Sequence, residues 1–212
     1  FHVRLNNGGD ATPSSTGYTA TLLATGLVLA RLCGKPLDGW RRLPEIVPQV
    51  QAAAAAKMER LGRLFESRRA IDCVGARAAL GTADGASLLL REAARIPASA
   101  YDTRHYLHGP MESMDGTTGV VLFGAGREIE LARHLDSIGC PTLLVTTDAS
   151  VADGEKLTVV HVPQVESIIA QGIVDILTAQ LLAAELSDAA GLTDVKFRYR
   201  MSDTKVPLPQ QA

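Results

Sequence analysis

Three things are scarce in this sequence. The first is cysteine: three in 212 residues (Cys33, Cys73 and Cys140), an odd number with no CxxC spacing. That excludes a disulfide framework and a thiolate zinc site, and it suits a reducing compartment. The second is net charge, which is −2 with a pI of about 6.2. No basic stripe runs along any face, so nucleic acid is excluded as a partner. The third is a long hydrophobic run. "TATLLATGLVLA" (19–30) is short of the ~18–20 residues that a membrane span needs, and it lacks the charged start of a signal peptide. A soluble, cytoplasmic protein with no membrane partner is the expectation.

Apolar residues make up 46% of the chain, enough for a sizeable core. The chain opens at Phe1. "FHVRL" alternates like the end of a strand, and "NNGGDATPSS" follows as a loop, so the chain reads as the latter part of something longer. Residues 17–33 are apolar nearly all round, which predicts a buried helix capped by Ser14, Ser15 or Thr16 and ended at Gly34. The alanine-rich run predicts a second helix over 47–68. From there strands (71–75, 98–102, 118–124, 141–147, 157–163) alternate with helices (79–96, 126–139, 165–187). Such alternation predicts an α/β fold with a mostly parallel sheet covered on both faces. Ligands of such sheets bind beyond the carboxyl ends of the strands. Residues 189–212 read as a polar tail.

Candidate chemistry is sparse. The loops at 75–85 and 123–128 are rich in glycine but lack GxGxxG spacing, and Thr82 is the one hydroxyl near a helix start. Each is a weak phosphate cup or simply a tight turn. Glu92 is a solvated helix residue or a general base. His108 stands before Gly109 and Pro110, a stiff corner that suits either a surface residue or a histidine held at a cleft rim. His105 and His108 have HxxH spacing but no third ligand, which argues against a metal site. Lys196, Arg198, Arg200 and Lys205 make the tail positive. Such a tail either folds over an anionic substrate or stays solvated.

Two segments carry a resemblance. "ATPSSTGYTATLLATGLVLARL" is similar to the opening of the second SIS (sugar isomerase) domain of phosphosugar enzymes with two SIS domains. "GASLLLREAARIPASAYDTRHYLHGPMES" resembles that family's helix–strand–HGP block, with a glutamate sixteen positions before the HGP histidine. The resemblance covers about residues 10–190 and includes the isomerase half of glucosamine-6-phosphate synthase. It implies a flavodoxin-like, doubly wound, five-stranded parallel sheet with two preceding helices. It divides the chain into 1–14, a remnant of a preceding SIS domain or a linker; 15–190, the SIS domain; and 191–212, a C-terminal tail.

The resemblance also implies roles. Glu92 matches the base that moves a proton between C1 and C2 of the opened sugar, and His108 the residue that assists ring opening, often across a dimer interface. Ser15, with Thr16 beside it, matches the position near the sugar hydroxyls. Lys205 matches the tail lysine, across a gap in the alignment. The chain departs from the family at His105, Leu89 and Gly17, where glutamate, lysine and lysine are common, so the substrate stays open. The family's phosphate-holding Ser and Thr residues belong to a first SIS domain, so this chain alone is expected to lack activity. The implied function is an aldose–ketose isomerase, deaminase or deglycase acting on a phosphorylated sugar or amino sugar as a homodimer. It needs no metal or organic cofactor, because the substrate carbonyl is the electron sink. The alternative is a SIS module that senses a sugar phosphate without turnover.

Overall fold

The five apolar runs form the expected strands. In a computed structural model, which describes residues 3–8, 13–192 and 197–199, they are β1 (Ile71–Gly75), β2 (Ala98–Tyr101), β3 (Gly119–Phe123), β4 (Thr142–Thr146) and β5 (Leu157–His161). All pair in parallel, in the order β2-β1-β3-β4-β5. This is the flavodoxin-like order, with a switch point between β1 and β3.

Alternate residues face opposite sides of the sheet. Ile71, Cys73, Val121, Phe123, Leu143 and Val145 face one core. It is covered by α3 (Leu43–Phe65), α4 (Ala79–Glu92) and α7 (Ile168–Ala189). Val74, Val120, Leu122, Leu144 and Val159 face the other, with α6 (Arg127–Ser137) and Tyr106 from the short α5 (Thr103–Tyr106). α7 is long and apolar enough to cross a membrane by length and composition. Here it packs against α3 and α4 as a core helix.

Two expectations fail at the start of the chain. Residues 3–8 form neither strand nor helix; strand-like alternation alone does not make a strand without a neighbour to pair with. The first helix, α1 (Thr16–Leu32), forms as expected, yet Gly26 is its one buried residue. Leu23, Val28, Leu29 and Leu32 are exposed, Leu32 by 77%, and so is the neighbouring Ile168. α1 leans on α7, and the indole of Trp40, in α2 (Asp38–Arg41), lies on it at Gly26. A Cβ at Gly26 would come 2.0 Å from the ring, so only glycine admits this contact. The far side of α1 is apolar and uncovered. Ser15 is the N-cap by position, but its side chain makes no cap bond.

The smaller core encloses a titratable group. Asp72, on β1, is buried, and burial pushes its carboxyl up to about 6 against the lowering effect of the Tyr106 hydroxyl. That hydroxyl is itself buried, and no hydrogen bond of ordinary geometry satisfies it among the described residues. The native carboxyl keeps its proton to higher pH than the unfolded one, whose value is 3.8. The native state therefore binds more protons between about pH 4 and 6, and this group's contribution to stability falls as pH rises through that window. Asp72→Asn is expected to melt above wild type at pH 7, with the gap closing by about pH 4. Thermal unfolding across that range checks it; a gap that stays constant with pH would contradict it.

Candidate functional site

The switch point is where a ligand is expected, and both of its loops turn tightly. After β1, Gly75 lets the chain turn so tightly that a Cβ there would meet the Ala79 carbonyl oxygen at 2.6 Å. The N–H groups of Ala79, Leu80 and Gly81 donate to the carbonyls of Ala76, Arg77 and Ala78 within the turn. Thr82, the one candidate hydroxyl, is buried in α4 against Gly172.

After β3, the site holds an anion of its own. Glu128, at the start of α6, is buried; one carboxylate oxygen accepts from the Gly126 N–H at 3.2 Å, and the other accepts from the Thr103 hydroxyl. A Cβ on Gly124, at φ +151°, would press against that carboxylate at 2.6 Å. The Glu128 carboxylate thus lies where a phosphate oxygen would meet a helix N-terminus. Both loops are tight turns, and Glu128 was not foreseen. Its signal is a glutamate two residues after a Gly-x-Gly turn.

His108 follows α5, which Asp102 caps by accepting from the N–H groups of Arg104 and His105. The His108 N–H donates to the His105 carbonyl at 3.0 Å, and Pro110 opens a 3-10 turn (Pro110–Ser113). His108 is exposed. Its neighbours Leu107 and Met111 share a shallow pocket with Arg127, Leu131 and His134 of α6, so the crossover runs over the α6 face. The His105 ring meets Tyr101 edge-on, with centroids 6.0 Å apart. Among the described residues, no group of three His, Cys, Asp or Glu side chains could hold a metal ion.

Glu92 lies elsewhere. α4 runs back along the sheet and ends, at Glu92, near the amino end of β2. The Ile71 N–H donates to the Pro97 carbonyl there, at 2.9 Å. Glu92 is half-buried. With Arg91, Arg95, Ile96, Pro97, Phe197, Arg198 and Tyr199 it lines a cleft of about 280 Å³. Part of the tail, residues 197–199, thus comes to Glu92. The proposed tail lysine, Lys205, lies outside the described residues, as do Lys196 and Arg200.

Ser15 comes to the same end of this layer. α4 and α7 run the same way, with Gly172 against Thr82. Gln180, eight residues further along α7, is therefore level with Leu90, and its side-chain amide donates to the Ser15 carbonyl at 3.4 Å. Thr16 follows as the first residue of α1. Within one chain, then, Ser15, Thr16, Glu92 and part of the tail share one end of the large helix layer. His108 lies on the opposite face of the sheet and does not line the Glu92 cleft.

No family model and no curated protein matches the sequence. Solved structures do. The C-terminal domain of glucosamine-fructose-6-phosphate aminotransferase from Francisella tularensis superposes with a TM-score of 0.69, at 18% identity, over 86% of this chain and 55% of its own. The chain has the SIS fold. Glucosamine-6-phosphate deaminase from Thermotoga maritima matches this chain with a TM-score of 0.68 at 16% identity, over 86% of it and 54% of the deaminase. Tagatose-6-phosphate ketose/aldose isomerase from Escherichia coli gives 0.68 at 18%, over 84% and 51%. The chain spans about half the length of these structures.

Proposed function

We propose that the protein is a phosphosugar aldose–ketose isomerase, or a related amino-sugar-phosphate deaminase or deglycase, working through an enediol or enediolamine. The observation that carries this reading is the cleft in which a half-buried Glu92 faces three arginines and two aromatic side chains, in a fold shared with sugar-phosphate enzymes. Glu92 takes the proton from the carbon beside the substrate carbonyl. The electron pair moves into the new C–C double bond, and the carbonyl oxygen takes the negative charge. The former carbonyl oxygen then gains a proton while the hydroxyl on the adjacent carbon loses its own and becomes the new carbonyl, and Glu92 returns its proton to the former carbonyl carbon, which completes the isomerisation. The substrate's own carbonyl is the electron sink, so the reaction as written needs no metal or organic cofactor. Ser15 and Thr16 hold sugar hydroxyls.

His108 assists ring opening from a second copy of the chain. The support is that Glu92 and His108 lie on opposite faces of the sheet, while α1 carries an uncovered apolar face suited to self-association. We take 15–190 as the catalytic SIS domain, 1–14 as a remnant of a preceding SIS domain or a linker, and 191–212 as a C-terminal tail. Buried free thiols at Cys73 and Cys140 suit a reducing, cytoplasmic setting.

The test is turnover of ketose 6-phosphates and 6-phospho-fructosamines by the full-length protein, with the unphosphorylated sugars as controls. Turnover of the phosphorylated compounds alone is the expected result. Thermal stabilisation by those compounds without turnover would favour the sensing module instead.

A further inference from the structure

The geometry points to a phosphate-binding site built from arginines of this chain: Arg91, Arg95 and Arg198, around the Glu92 cleft. This rests on the proposed function, and it names the group that anchors the substrate. The Ile96 N–H donates to the Leu90 carbonyl at 3.1 Å, closing α4 with a seven-to-one bond, and Arg95 is the residue before it, at φ +57°. That position in a helix C-terminus is the left-handed one that glycine normally fills and that other side chains occupy at a cost. Arg95 keeps that conformation as Arg77 does elsewhere, and here its side chain lines the Glu92 cleft.

Arg91 is held in place too. Its Nε donates to the Ser87 carbonyl at 3.2 Å, and a terminal nitrogen donates to the Ser87 hydroxyl at 3.4 Å. Arg198 arrives from the tail, with Phe197 and Tyr199 on either side of it in sequence as apolar wall, and Ile96 and Pro97 opposite. Among the described residues, three guanidinium groups and the single carboxylate of Glu92 line the cleft. Guanidinium forks suit phosphate oxygens. At the switch point, the Glu128 carboxylate occupies the turn after β3. The family resemblance assigns phosphate binding to a separate domain; these arginines give this chain its own grip.

Titration of inorganic phosphate into the purified protein, followed by calorimetry, tests the site. Wild type is expected to bind phosphate in preference to an equal concentration of chloride. Arg95→Gly is expected to weaken binding at least tenfold while keeping the backbone of the turn, because glycine suits the left-handed position. Arg198→Gln is expected to weaken it as well. Glu92→Gln is expected to keep or tighten binding, since a negative neighbour is removed. Undiminished phosphate binding by Arg95→Gly, or no phosphate binding by wild type, overturns the site. Turnover unchanged in Glu92→Gln, with phosphate binding lost in Arg95→Gly, would instead remove the catalytic reading and leave the anion site standing.

Discussion

Glu92→Gln is expected to lower turnover of the phosphorylated substrate by about 10²–10⁴-fold, the usual share of a positioned general base. The amide keeps the shape of the carboxyl but cannot take a proton from carbon. In energy the loss is about 3–5 kcal/mol of transition-state stabilisation. The variant should fold as wild type does: Glu92 is half-buried at the last turn of α4, where such changes shift stability by about 0.5 kcal/mol or less. A fall in kcat with KM and melting temperature preserved would separate loss of the base from loss of binding. Activity within twofold of wild type would remove Glu92 from the mechanism.

The second large effect concerns assembly. Leu29 and Leu32 are 45% and 77% exposed on α1, so replacing both with aspartate costs the folded monomer little. In a dimer packed on that face, each change buries a charge against apolar surface. The pair is expected to weaken self-association by about 100-fold or more, as central contacts of an interface do. Sedimentation across a concentration series reads the dissociation constant directly. A wild type that sediments as a monomer at micromolar concentration would contradict this arrangement.

The sheet was legible because β-branched runs bounded by helical periods leave little freedom in a parallel α/β fold. Residues 71–75 and 142–146 show it, reading as strands and proving buried throughout. α1 shows the limit. Its all-round apolar pattern signals burial without saying whether the cover comes from the same chain. The sixteen-residue spacing identified Glu92 and His108 as a pair, but spacing along the chain does not reveal that the sheet stands between them. Arg95 escaped notice because its significance lies in a positive φ, which an arginine in sequence does not announce. Glu128 escaped because its carboxylate closes a loop through Gly126 and Thr103, a contact that exists only after folding.

The account stands or falls on whether Glu92 moves a carbon-bound proton. The direct measurement is incubation with a ketose 6-phosphate in deuterium oxide, with the C1 protons followed by NMR. The account predicts that wild type places deuterium at C1, and that Glu92→Gln, with phosphate still bound, does not. Equal deuterium uptake by both proteins, or none by wild type while the sugar phosphate is bound, would contradict it.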